Sequence, residues 1–198
     1  GLVTAARQVL INPIGMQNAE TAIYQGILKR VSQNYGNLSL EQILNGMDSR
    51  TLFTTDQEIP GIFTREAWEG MVEKEIDKAA KNRREEIDWV LTDSSKQVGS
   101  EISPEMLQQR LTERYFTDYS AAWLNFLNSI SWQRTESISD VIDQLTLLSD
   151  ARQSPLIALM NSVKYQGQTA QKGKALAETL VNSAKEVFGS KAKRLDAI

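Results

Sequence analysis

The side chains of this sequence that could act as an acid and a base are carboxylates on one predicted helix. The first group is Glu66, Glu69 and Glu73, and the second is Glu85, Glu86 and Asp88. A pair of carboxyl groups is what glycoside hydrolases use, so a hydrolase relying on Glu69 with Glu73, or on Glu85 with Asp88, is one hypothesis. Catalysis would also require a cleft that raises one pKa, and these residues lie among Lys and Arg on an amphipathic helix. A solvated charged face is therefore favoured.

Composition restricts the other catalytic chemistries. The 198 residues include no His and no Cys, so Ser-His-Asp triads, Cys-His dyads and the usual zinc sites cannot be built. A carboxylate pair, a Ser-Lys dyad or a phosphate loop would remain. We expect a non-enzymatic protein with no catalytic, cofactor-binding or metal-binding residues and no small-molecule substrate.

A glycine-rich segment at residues 167–175 resembles a nucleotide-binding P-loop, because Gly173-Lys174 follows the earlier Gly167. The match fails because the glycines are one residue too far apart and Ala175 replaces the Ser or Thr that binds magnesium. The preceding segment is also predicted to be a helix where a strand is required. A flexible turn between two helices, with Gly167 at a C-cap, is favoured.

The four tryptophans could stack on sugars or bases. Trp68, Trp89 and Trp123 lie in or beside apolar helical stripes, which favours the core. Trp132 follows the end of a long predicted helix. It either closes the end of a helical bundle, which we favour, or offers an aromatic anchor to a partner.

Charge argues against nucleic acid as a partner, because the net charge is −3 and the pI is about 5.2. Basic residues concentrate near the C-terminus, where acidic residues interleave with them, so a solvated helix face is favoured over a phosphate site or a membrane-surface helix. These basic residues are Lys172, Lys174, Lys185, Lys191, Lys193 and Arg194.

Hydrophobic residues make up 41% and charged residues 24% of the chain, which is typical of a globular protein. No apolar run approaches the ~20 residues of a membrane-spanning helix, and the first residues lack the layout of a signal peptide. Both ends resemble cuts within a longer protein. Any membrane anchor is expected outside this sequence.

Helical periodicity predicts an all-α multi-helix bundle with two long amphipathic helices. One begins at Ser103-Pro104 and the other runs from Thr64 to about Leu91, with its charged side toward water. The first has an apolar stripe consisting of Leu107, Leu111, Tyr115, Tyr119, Trp123 and Leu127, widened by Phe116, Ala122, Phe126 and Ile130. Residues 50–54 and 58–63 are the only strand-like pieces, and they predict a short hairpin or an extended loop.

Shorter helices are predicted at residues 19–35 and 169–188, and after Ser39, Ser137 and Ser154, each of which can serve as an N-cap. We expect one domain, 1–198, in which residues 1–45 could form a separate layer on a main bundle of residues 46–198.

Four stretches resemble, in order, the periplasmic region of the IcmF/TssM family of type VI secretion inner-membrane proteins. Residues 59–64 are similar to the Pro-Gly-aromatic-Thr sequence that precedes a helix in the family, and residues 88–91 are similar to the sequence that ends this helix. Residues 114–127 are similar to its Tyr-x-x-Asp-Tyr-x-x-x-Trp pattern, and residues 154–160 to its Ser-Pro-Leu segment. The similarity covers residues 51–163, and four weak matches in register are much more specific than one.

The resemblance implies that the full-length protein is a scaffold in the bacterial inner membrane and that this segment of it lies in the periplasm. The partners implied are the other membrane-complex proteins: an outer-membrane lipoprotein, an inner-membrane partner and, in the full-length protein, further copies of itself. The family offers no catalytic residue in this region, and the partner-binding residues are unknown. The main alternative from another class is a free-standing helical adaptor or chaperone, which would expose an apolar groove for a partner helix.

Overall fold

The computed structural model describes the backbone of residues 2–92, 102–150, 152–169 and 173–195, and the side chains of residues 17–85, 102–150, 152–169 and 178–189. This part of the chain is mostly α-helical, with one small two-stranded sheet, which confirms the predicted fold class. None of its helices is both long and apolar enough to cross a membrane. The chain divides into two compact units, Gly1–Asn34 with Gly70–Thr117, and Tyr35–Glu69 with Asp118–Ile198.

The first unit contains helix α1 (Leu2–Ser32), helix α4 (Glu73–Thr92) and the start of helix α5 (Pro104–Ser129). Ion pairs connect these helices, with Arg30 Nε 2.7 Å from Glu75 Oε2 and Arg84 Nη2 2.6 Å from Glu105 Oε1. The Arg114 guanidinium lies 4.6 Å from the centre of the Tyr24 ring. Helix α1 begins well before the predicted residue 19 and includes Pro13, which was not expected inside a helix.

The predicted helix after Thr64 has three successive parts, namely α3 (Arg65–Ala67), a π-helical turn (Trp68–Val72) and α4. The Thr64 side chain caps its start by accepting a hydrogen bond from the Ala67 N–H. Trp68, Val72 and Ile76 are buried, as the apolar stripe predicted. The charged side is exposed at Glu73, Lys74, Asp77, Lys78, Lys81, Arg84 and Glu85.

Helix α5 confirms the predicted stripe, because Leu107, Leu111, Tyr115, Tyr119, Trp123 and Leu127 are all buried. Within the second unit, Tyr119 stacks on Trp123 and contacts Phe63 edge-on. The Trp123 indole N–H donates a 2.9 Å hydrogen bond to the Phe63 carbonyl. The buried indole is therefore satisfied, and the bond fixes the loop before α3 against α5.

The second unit also contains helix α2 (Leu40–Ile43) and strands β1 (Phe53–Thr54) and β2 (Ser131–Trp132), which pair antiparallel. Of the two alternatives predicted for residues 50–54 and 58–63, a short hairpin or an extended loop, the hairpin does not form. Strand β1 pairs with residues after α5, and Ile59 forms a bridge with Leu38. Residues 61–63 are a 3₁₀ turn. Extended backbone can satisfy its hydrogen bonds with any nearby strand, so sequence proximity did not identify the partner.

Three further helices complete the second unit: α6 (Ile138–Ser149), α7 (Pro155–Gly167) and α8 (Gly173–Leu195). Helix α8 starts later than the predicted residue 169 and extends beyond Phe188. Thr169 is instead buried, and its hydroxyl donates to the Gln166 carbonyl. That bond gives Thr169 a role in ending α7 rather than in starting α8.

Candidate functional site: an exposed apolar helix face

The described carboxylates among those considered for acid–base chemistry lie at the surface of the protein. Glu66, Glu69, Glu73 and Glu85 are exposed, and the side chains of Glu86 and Asp88 lie outside the described residues. Glu69 pairs with Arg65 at 2.7 Å, and Glu85 lies 4.0 Å from Lys81. These are surface pairs at helical spacing. In the described part of the chain, no group of acidic residues is arranged to bind a metal ion.

The P-loop-like segment is split between two helices. Gly167 is the last residue of α7, and the Gln168 N–H caps it by donating to the carbonyls of Lys164 and Tyr165. Gly173 begins α8, while residues 170–172 lie outside the described structure. A helix therefore precedes the segment, as predicted, where a P-loop requires a strand.

The tryptophans occupy mostly core positions. Trp68 and Trp123 are buried, and the Trp89 side chain lies outside the described residues. Trp132 is half-buried and makes edge-on contacts with Phe53 and Phe188, whose ring centres are 5.8 and 5.9 Å away. This packing agrees with the favoured prediction that Trp132 closes the end of the bundle. Of the C-terminal basic residues, only the Lys185 side chain is described, and it is exposed.

A buried polar junction around Gln166 was not predicted from the sequence. The Gln166 side-chain oxygen accepts from the Arg65 N–H at 2.6 Å, and its amide nitrogen donates to Glu66 at 3.0 Å. Its backbone carbonyl accepts from the Tyr119 hydroxyl at 2.8 Å. Burial raises the pKa of Tyr119 above its usual value. These contacts join three helices, and a glutamine in a helix gives no sequence signal for them.

The described residues form an open cleft of moderate size in each unit. In the first unit, a cleft of about 410 Å³ is lined by Arg30, Lys78, Arg83 and several apolar residues of α1 and α4, with Glu75 already paired to Arg30. In the second, a cleft of about 420 Å³ lies between residues 57–63 and α5 and includes Glu58 and Asp118.

Helix α6 has an apolar face that is open to solvent. Ile138, Val141, Ile142 and Leu145 recur at helical spacing and are 81%, 40%, 57% and 60% exposed. No residue of this helix is buried, although its amphipathic pattern predicts an inward apolar face. The helix contacts the rest of the protein through Gln144, whose amide nitrogen donates to the carbonyls of Thr51 at 2.7 Å and Gln133 at 3.2 Å.

The fold and this surface define a class of protein, namely a mainly helical one with an apolar helix face available for contacts. A family model described as "IcmF-related: Intracellular multiplication and human macrophage-killing" matches residues 1–168. The chain therefore belongs to the IcmF-related family, as the four sequence stretches indicated. No curated protein sequence matches it.

Two solved structures are similar to this chain. One is titled "Type VI secretion system membrane core complex", with 42% identity, a TM-score of 0.65, and coverage of 78% of this chain and 28% of that chain. The other is titled "Type VI membrane complex", with 41% identity, a TM-score of 0.59, and coverage of 83% and 29%. This chain thus spans less than a third of the length of each chain it matches.

Proposed function

We propose that this chain is a structural segment of a type VI secretion membrane complex, that it lies in the periplasm, and that it acts by binding other proteins rather than by catalysis. Its partners are the outer-membrane lipoprotein, the inner-membrane partner and further copies of the full-length protein. The observation that carries this proposal is the 42% identity to a chain of a type VI membrane core complex over 78% of the sequence.

The described side chains support a binding role over a catalytic one. Of the carboxylates that could form an acid–base pair, Glu69, Glu73 and Glu85 are described, and all three are exposed. Glu69 lies beside Arg65, and Glu85 lies beside Lys81. The helix face of α6, in contrast, leaves four large apolar side chains in water. Exposed contiguous apolar surface of this kind typically marks a protein-interaction site.

The test is to delete residues 51–163 from the full-length protein in bacteria and to measure release of the secreted tail-tube protein. Membrane abundance of the shortened protein is measured in parallel by immunoblotting. Loss of release at normal abundance is the expected result, whereas undiminished release would overturn the assignment.

A second set of variants separates binding from catalysis. Glu69→Gln with Glu73→Gln, and Glu85→Gln with Asp88→Asn, remove the candidate acid–base pairs while keeping nearly the same side-chain size. We expect normal release from both double variants. Loss of release at normal membrane abundance would instead favour the hydrolase hypothesis.

The exposed face of α6 is also what a free-standing adaptor would present to a partner helix. The two functions differ in their dependence on the rest of the complex. An adaptor would form a stable one-to-one complex with its partner, whereas a scaffold segment would co-purify with the whole membrane complex from detergent-solubilised membranes.

A further inference from the structure

We infer that a basic cleft in the first unit binds an acidic segment of a partner protein. The cleft lies between α1 and α4, with a volume of about 410 Å³, and its polar lining consists of Arg30, Glu75, Lys78, Asn82 and Arg83. A volume of this size is typical of sites that hold a ligand. This inference rests on the proposed assembly function and adds to it a binding surface and the chemistry of the partner.

The lining of the basic cleft has an excess of positive charge. Arg30, Lys78 and Arg83 contribute three positive charges, and Glu75 is the one acidic residue among the described lining residues. The Glu75 carboxylate is already 2.7 Å from Arg30 Nε, and its side chain is 15% exposed compared with 52% for Arg30. The negative charge is therefore largely covered, while the positive charges border the open space of the cleft.

Several hydrogen-bond donors in the lining are available to a ligand. Arg30 bonds Glu75 through Nε, and within the described residues its Nη1 and Nη2 have no acceptor. The side chains of Lys78 and Asn82 lie one turn apart on α4, are exposed, and make no hydrogen bond or ion pair with a described residue. The cleft therefore offers a guanidinium edge, an ammonium group and an amide to the acceptors of a ligand.

A protein carboxylate fits this chemistry. It carries one negative charge and accepts charge-assisted hydrogen bonds from guanidinium and ammonium groups. The rest of the lining is apolar, and Ile23, Ala79 and Leu107 provide contacts for an apolar side chain next to that carboxylate. The occupant is therefore a segment in which Asp or Glu lies beside an apolar residue.

The same lining argues against a phosphate group, whether free or on a lipid. Phosphate sites typically add the backbone N–H groups of a helix start to their basic side chains, whereas this cleft lies along the sides of α1 and α4. Ile23 and Leu107 would gain no apolar contact from a phosphate. Glu75 also repels a dianion more strongly than it repels a single carboxylate.

The test measures binding of a synthetic helical peptide, with glutamate and leucine side by side on one face, to the 198-residue chain by isothermal titration calorimetry. Lys78→Glu should weaken binding about five- to tenfold, because it removes an attraction and adds a repulsion of similar size. Lys81→Glu is the matched control, since Lys81 is an exposed lysine of the same helix that does not line the cleft. It should change the dissociation constant less than about twofold, because solvent and salt screen a charge outside the site. Equal weakening by the two variants would overturn the inference.

A third variant tests whether the peptide enters the cleft. Ala22→Phe places a large side chain in the lining without changing the charge, and it should weaken binding about tenfold or more by filling the space. Unchanged binding by this variant would overturn the cleft as the site. Far-UV circular dichroism reports whether each variant folds. Lys78→Gln and Ala22→Leu are the milder replacements for a variant that does not.

Three comparisons test the chemistry of the occupant. A peptide with lysine in place of glutamate should bind about tenfold more weakly or worse, and equal binding of the two peptides would overturn the acidic partner. Binding of inorganic phosphate or of phosphatidylglycerol vesicles that Lys78→Glu abolishes, without binding of the glutamate peptide, would overturn the carboxylate in favour of a phosphate ligand. Self-association that Lys78→Glu abolishes, seen by analytical ultracentrifugation, would overturn the separate partner in favour of a second copy.

These outcomes are independent of the secretion assay. Loss of specificity in peptide binding overturns the inference about the basic cleft even if release requires residues 51–163. Undiminished release by the deletion overturns the proposed function even if the glutamate peptide binds the cleft.

Discussion

The Tyr119 hydroxyl donates a 2.8 Å hydrogen bond to the backbone carbonyl of Gln166 and joins the middle of α5 to the end of α7. The same glutamine uses its side chain to bind the Arg65 N–H and the Glu66 carboxylate at the start of α3. A single buried residue of α7 therefore satisfies polar groups of two other helices, α3 and α5. Because unsatisfied polar groups are costly in a core, this junction should specify how those helices pack.

Replacing Tyr119 with Phe removes the hydroxyl and keeps the ring. We expect the free energy of unfolding to fall by about 1 kcal/mol, because the buried Gln166 carbonyl loses one of its two donors and keeps the Thr169 hydroxyl. Urea denaturation followed by circular dichroism measures the change. Tyr165→Phe is the matched control, since Tyr165 is exposed and its ring contact with Arg65 is retained, so a change within about 0.5 kcal/mol is expected. Equal losses in the two variants would contradict the role of the junction.

The raised pKa of Tyr119 makes stability depend on pH in the alkaline range. Burial disfavours the phenolate, so the folded protein keeps this proton at pH values where the unfolded chain, with a tyrosine pKa near 10, has lost it. The stabilising contribution is therefore complete below about pH 10 and decreases above it by up to about 1.4 kcal/mol per pH unit.

The measurement is the difference in unfolding free energy between wild type and Tyr119→Phe, from about pH 8 to about pH 11. We expect the wild-type advantage to shrink above about pH 10, because the variant has no proton to lose at this position. A difference that stays constant across this range would show that the Tyr119 proton does not contribute to the pH dependence of stability.

Much of the fold was predictable because periodicity reports burial directly. The stripe from Leu107 to Leu127 is buried as expected, a helix begins directly after Thr64 as predicted, and Ser39 caps its helix as its sequence context indicated. The absence of His and Cys from the sequence also excluded His-based and Cys-based catalytic sites and the usual zinc sites. These are local properties, which a single sequence carries without knowledge of tertiary contacts.

Features that depend on distant residues were not predictable. The pairing of Phe53 with Trp132 and the contacts of Gln166 join residues that are far apart in sequence, and neither has a local pattern. Helix α6 was correctly predicted to follow Ser137. Periodicity, however, cannot tell whether the apolar face of a helix packs inward or remains exposed. The exposed face of α6, the main candidate site, therefore required the structure.

The close approach of Gly61 to residues 35 and 36 leads to another prediction. A Cβ at this position would lie 2.6 Å from the Tyr35 carbonyl oxygen and closer still to that of Gly36. Backbone atoms cannot move aside cheaply, so we expect Gly61→Ala to lower the free energy of unfolding by about 1 to 3 kcal/mol.

Gly36→Ala is the control for this clash, because a Cβ on Gly36 would meet no atom within 4 Å. Its unfolding free energy should stay within about 0.5 kcal/mol of wild type. Thermal or urea denaturation of both variants provides the comparison, and a Gly61→Ala protein as stable as Gly36→Ala would contradict the close approach.

Two serines at helix starts should respond in opposite ways to the same substitution. Ser39 makes a reciprocal capping box with Gln42, accepting from its N–H at 3.3 Å and donating its own N–H to the side-chain oxygen at 2.9 Å. Ser154 precedes Pro155, yet its buried hydroxyl has no hydrogen-bond partner among the described residues.

We expect Ser39→Ala to lower the free energy of unfolding by about 1 kcal/mol, because an N-cap is lost. Ser154→Ala should leave it unchanged or raise it by up to about 1 kcal/mol, because it removes a buried polar group that forms no compensating bond. Urea denaturation of the two variants under identical conditions measures both effects. A loss at Ser154 as large as at Ser39 would mean that its hydroxyl does form a hydrogen bond in solution, which would make the Ser-Pro start a true cap.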